Sequence, residues 1–107
     1  MTNFISTGST YWISDEEIQI LEKNATNGDK NSAFKLYQYH MFVSIDQDLE
    51  FKWLEIAAKN GHPIAQSNLA DLFFTQGNKE KAIFWAKKAY RNGAKLPDEL
   101  KILVNIN

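Results

Sequence analysis

From Ser14 to Leu103 the apolar residues recur three and four positions apart, and each run of them ends at a glycine or a polar turn. This is the pattern of successive amphipathic helices. Ser14 with Glu17 forms a capping box, and Ile13 with Ile18 forms the hydrophobic staple around it, so the first helix is predicted to start there and close at Asn27-Gly28. Asp29 caps a second helix with Ala33, Leu36, Tyr37 and His40 on one face, broken by VSIDQD. A third helix is expected from about Asp48 to Asn60, and His62-Pro63 opens a fourth whose face is Ala65, Leu69, Leu72 and Phe73. After the turn Gln76-Gly77-Asn78, a fifth helix places Ala82, Trp85, Ala86 and Ala89 on one stripe and ends at Asn92-Gly93. Pro97-Asp98-Glu99 then starts a short last helix, with Leu96, Leu100 and Leu103 available for packing.

The three Asn-Gly pairs begin at 27, 60 and 92, intervals of 33 and 32 residues, with two helices in each interval. Eight residues before the glycine stand Ile20, Trp53 and Trp85; three before stand Ala25, Ala58 and Tyr90; eight after stand Leu36 and Leu69. A period near 34 built from helical pairs, with small residues where helices cross, predicts an all-α fold: an α-solenoid of about three helix-turn-helix repeats, a tetratricopeptide-like superhelix. The expected organisation is an N-terminal arm over residues 1–13 and a single domain over 14–107, with units at about 14–45, 46–77 and 78–107. The arm carries Phe4, Ile5, Tyr11 and Trp12, apolar enough to complete the core of the first unit or to pair two chains.

Two segments, WLEIAAKNGHPIAQSNLADLF and KAIFWAKKAYRNGA, resemble the Sel-one-like repeat, a tetratricopeptide-related family. Trp53, Ala57, Ala58, Gly61, Ala65, Gln66 and Leu69 match one unit in order, and Ala82, Trp85, Ala89 and Gly93 match the next. The resemblance covers residues 46 to 95. Ala70 departs from the usual glycine, and the first unit lacks the tryptophan, which suits a degenerate end unit. On this resemblance the Asn-Gly pairs turn one helix of a unit into the other, and the first helix of each unit lines a concave surface.

Composition narrows the function. The chain has 107 residues, 44% hydrophobic and 23% charged, enough for one ordinary core. A net charge of −1 and a pI near 6.1 give no general pull toward nucleic acid or anionic lipid. The two halves differ, however: residues 1–54 hold four Lys+Arg against eight Asp+Glu, and residues 55–107 hold eight against five, net −4 and +3. Without cysteine there is neither a disulfide framework nor a thiol nucleophile. No secretory signal or membrane-length apolar run is read, so a cytoplasmic protein is expected.

Catalytic groups do not converge. His40 and His62 fall in different units, away from carboxylates at metal-ligand spacing; His62 is expected to cap its helix and His40 to lie at a helix edge. Asp15, Glu16 and Glu17, like Asp98 and Glu99, suit helix first turns, and the glycines sit at helix ends rather than in a phosphate loop. The expectation is a non-enzyme with no cofactor and no metal.

The remaining candidate is a surface. The fifth helix sets Lys81, Phe84, Lys88 and Arg91 on the face its packing stripe leaves free, and the third repeats the register with Leu49, Lys52, Ile56 and Lys59. Lys52, Ile56, Lys59, Phe84, Lys88 and Arg91 are therefore the expected partner-binding residues, with apolar anchors among cations. The alternative is a solvated lysine face with Ile56 and Phe84 tucked under their neighbours. A module of this size suits binding and neutralising one acidic protein, and similar short members of the repeat family include bacterial immunity proteins that block a cognate toxin. The asparagine- and lysine-rich text suits a bacterium of low GC content. An adaptor scaffold and a nucleic-acid-associated factor are the other readings, the latter opposed by the net charge; the expected partner is a protein, with no nucleic acid, no membrane and a monomer or weak homodimer.

Overall fold

The computed structural model describes residues 10–105, and among them every regular element is helical: α1 (Asp15–Thr26), α2 (Lys30–Phe42), α3 (Gln47–Lys59), α4 (Pro63–Thr75), α5 (Lys79–Arg91) and α6 (Asp98–Leu103). Five of the six starts are closed by a side chain accepting from a first-turn amide. Glu17 N–H donates to Ser14 Oγ at 3.2 Å, Asn31 N–H to Asp29 Oδ1 at 3.1 Å, Leu49 N–H to Asp46 Oδ1 at 3.1 Å, Ala65 N–H to His62 Nδ1 at 3.2 Å and Lys81 N–H to Asn78 Oδ1 at 3.2 Å. The expected start of α3 near Asp48 moves back, because it is the Asp46 carboxylate that satisfies the first turn.

Four of the helix ends share one closure. At Gly61 the backbone turns to φ +96°, and Gly61 N–H and His62 N–H donate back to Ala58 O and Ala57 O, both at 3.0 Å. That pair of bonds consumes carbonyls the helix would otherwise leave unsatisfied. The same two bonds close α1 at Gly28, α4 at Gly77 and α5 at Gly93. The end of α2 differs: Ile45 takes φ +52°, a strained value for a β-branched residue, while Asp46 N–H donates to His40 O at 3.0 Å.

Helices adjacent in sequence pack on one another from α1 through α6, most extensively α2 on α3 and α4 on α5. One core cluster draws on α1 to α5 around Leu36, Trp53, Leu69 and Phe73; a second joins Ala70, Ala86 and Ala89 to Leu96 and Leu100. Ala57, Ala58, Ala65, Ala70, Ala82, Ala86 and Ala89 are all fully buried, which is what lets the helix backbones approach.

Equivalent registers are not equally covered. Leu36 and Leu69 are both fully buried, yet Trp53 is 2% exposed, Trp85 only half-buried and Ile20 59% exposed. Tyr90 is likewise exposed where Ala25 and Ala58 are buried. The cause is position: among the described residues α3 has helices on both sides, no helix of this length precedes α1, and α5 is followed by the six residues of α6. In the arm, Ile13 is buried and the Tyr11 ring stacks on Phe42 at 4.5 Å, while Trp12 stays exposed. Tyr11 therefore packs on α2, Ile13 is buried and Trp12 is not; Phe4 and Ile5 lie outside the described residues.

Candidate partner-binding surface

The α5 half of the expected surface forms as its spacing requires. Three and four residues per step put Phe84, Lys88 and Arg91 on the side away from the buried stripe Ala82, Ala86 and Ala89. Phe84 is 53% exposed, its ring braced edge-on by Trp85 at 5.2 Å and covered by Lys88, whose Nζ stands 5.2 Å from the ring centroid. Lys81 reaches the Phe73 ring at 5.3 Å. Arg91 is exposed in the last turn, where the helix dipole favours a cation. Among the described residues none of Lys79, Lys81, Lys87, Lys88, Arg91 and Lys95 takes part in an ion pair. Glu80 is the one acid between Lys79 and Lys95, so the stretch carries uncompensated positive charge.

The α3 half forms differently. Lys52 Nζ lies 4.7 Å from the Trp53 ring centroid, and Lys59 pairs with Glu55 at 3.9 Å, so both cations already have local partners. Ile56 is half-buried against the first core cluster, as is Leu49. The buried stripe Trp53, Leu54, Ala57, Ala58 is wide enough that Ile56 falls on its flank. Ile56 therefore stands half-buried at the edge of the core. The two trios sit on separate helices, and no ion pair, aromatic pair or cation–π contact joins them among the described residues.

Polar groups that the register alone did not assign take up structural work. Gln66, buried in α4, donates from Nε2 to Ala58 O at 3.0 Å and accepts at Oε1 from Asn92 Nδ2 at 2.9 Å, tying the ends of α3 and α5 to α4. The signal was present in the Ala65-Gln66 match. Ala33 stands 33 residues before Gln66 and cannot make these bonds, and Asn60, 32 residues before Asn92, turns its side chain back to Ile56 O at 2.8 Å instead. His62 caps α4 as expected and stacks on Phe34 at 4.0 Å. His40 does not lie at an edge: it is buried, with Nδ1 2.7 Å from Ser44 Oγ and Nε2 without a partner among the described residues, as is Trp53 Nε1. Burial lowers the pKa of both histidines, outweighing Asp46 and Glu22 at His40 and reinforced by Lys30 at His62. Among the described residues no group of three His, Asp or Glu is placed to hold a metal, and no helix is long and apolar enough to cross a membrane.

Comparison with known proteins gives one relative to report. The chain is 34% identical over 95 residues to the uncharacterized protein YibG of Escherichia coli (strain K12), an alignment that covers 82% of this chain and 62% of YibG. The chain therefore spans less than two thirds of that relative's length. No family model matches the chain, and no solved structure matches it.

Proposed function

We propose that the chain is a short α-solenoid of tetratricopeptide-like units, of the Sel-one-like type, acting as a non-catalytic module that binds one acidic protein and neutralises it as an immunity protein does its cognate toxin. The solenoid reading draws on the shared closure at Gly28, Gly61 and Gly93 and the shared burial of Leu36 and Leu69. The observation that carries the binding reading is α5: an exposed phenylalanine under a lysine, within a run of cations that have no acidic partner in the described chain. Such charges steer an acidic partner and select it, and an aromatic anchor supplies the affinity once desolvated. Lys52, Ile56 and Lys59, at the same register on α3, are the second part of the proposed contact.

The test is protection and binding with a toxin encoded beside the gene. Cells expressing wild type should survive the toxin, and a Phe84→Ala/Lys88→Glu/Arg91→Glu variant should not protect, with affinity reduced about a hundredfold or more. Because these positions lie outside the buried stripe, the variant should keep wild-type helicity and melt within a few degrees of it. A variant that stays folded and binds as wild type does would move the contact off α5.

A further inference from the structure

A groove of about 570 Å³ runs between the first turn of α4 and the Gly93–Pro97 turn leading into α6. It is distinct from the α5 surface: neither Phe84, Lys88 nor Arg91 lines it. Its size lies within the range of sites that take a small ligand or a few residues of peptide. One wall is apolar, with Ile64, 54% exposed, facing the turn that holds Pro97. No carboxylate lines it, and Lys95 at its rim is exposed and in no ion pair among the described residues.

The polar groups of the groove are mostly donors with nothing to donate to. Ser67 is 8% exposed and borders the groove, yet its hydroxyl has no hydrogen-bond partner among the described residues. Thr26 and Thr75, also within helices, return their hydroxyls to the carbonyl four residues back at 2.7 and 2.9 Å; Ser67 does not. His40 Nε2 and Trp53 Nε1 are sealed in the core, whereas Ser67 meets open space. The Ser67 hydroxyl is therefore reachable from the groove and free to exchange water for a ligand group, while the rest of the side chain is held by the packing around it. The His62 ring is held by its stack on Phe34, and since Nδ1 accepts from Ala65 N–H, the neutral ring presents Nε2–H as a donor. Asn68 has given one amide hydrogen to Tyr37 Oη at 3.3 Å. The first-turn amide of Ile64, following Pro63, has no carbonyl within its own helix.

We propose that this groove docks an extended peptide segment in which an aspartate or glutamate neighbours an aliphatic residue. The carboxylate accepts from Ser67 and is drawn by Lys95 and the positive end of α4, while the aliphatic side chain covers Ile64 and Pro97. Charge and shape choose this occupant together: a lone anion leaves the Ile64 wall wet, and a basic or purely apolar segment leaves Ser67 and Lys95 unanswered.

The experiment is fluorescence anisotropy of the full chain with fluorescein-labelled acetyl-Leu-Glu-Leu-Glu-Leu amide, beside peptides with lysine for glutamate or serine for leucine. The first should bind, and each replacement should weaken binding about tenfold or more. Ser67→Ala should weaken it by about fivefold to tenfold, the size of one hydrogen bond to a charged group. Ile64→Asp should weaken it more than tenfold without unfolding the protein, because the site is exposed and acids are favoured in a helix first turn. Lys88→Glu, on the α5 surface, should change it less than about twofold, which keeps this site separate from the one above. Equal binding by the lysine peptide, indifference to both groove substitutions, or no binding at about 1 mM peptide would each overturn the proposal.

Discussion

His40 and His62 show how one residue type comes by its pKa through different local duties. His62 is fixed by accepting the Ala65 amide and stacking on Phe34, and His40 by burial beside Ser44. Both are held below the ordinary histidine value of 6.5. The unfolded chain therefore takes up protons at these sites first as pH falls through 6.5, and folding loses free energy below that point and none above it. We expect the urea midpoint to be level between about pH 7 and 8 and to fall as the pH drops below about 6.5. In a His40→Gln/His62→Asn double variant, where asparagine keeps the cap, that decline should largely vanish. An unchanged decline would assign the acid sensitivity to other groups. Neither perturbation could be read from the one-dimensional pattern, since what lowers the pKa is the covering of each ring by residues remote in sequence.

At the scale of elements, the chain's text and its structure agree best at helix ends. Ser14, Asp29, His62 and Gly61 each act within four residues of themselves, so their roles are legible without tertiary information. Gly61 is the sharpest case. A Cβ built there meets nothing within 4 Å, so any penalty on substitution comes from the backbone at φ +96° and not from crowding. Gly61→Ala should cost about 1–2 kcal/mol in urea unfolding, and Gly61→Asn less, because asparagine tolerates the left-handed region. Equal losses would point to a hidden steric cause. α3 starts at Gln47, one residue ahead of the expected position, because the Asp46 carboxylate accepts from Leu49 N–H.

At the scale of the whole molecule, covering depends on what lies on each side of a helix. Trp53 and Trp85 share a register, yet Trp53 is closed in by α2 and α4 while Trp85 lies near the thin α6 end. Trp53→Ala should cost about 3–5 kcal/mol and Trp85→Ala about half of that in denaturant unfolding; equal costs would mean that register rather than neighbours sets the burial. The candidate surface divides along the same line. Phe84, Lys88 and Arg91 were legible because helical spacing alone carries them away from the alanine stripe, whereas Ile56, in the same register, sits on the flank of a wider stripe and joins the core edge. The groove beside Ser67 had no sequence signal, since it is made by two segments about thirty residues apart. Local features are legible in the chain's order of residues: six helices, their caps, the glycine turns, the alanine stripes and the cationic run on α5. The tertiary structure decided what is relational: which equivalent positions are covered, which ring nitrogens are sealed, which cations are already partnered and where a buried hydroxyl faces open space. The physical reason is range, because dihedral preference and capping act over a few residues, and burial acts only between elements that the chain has brought together.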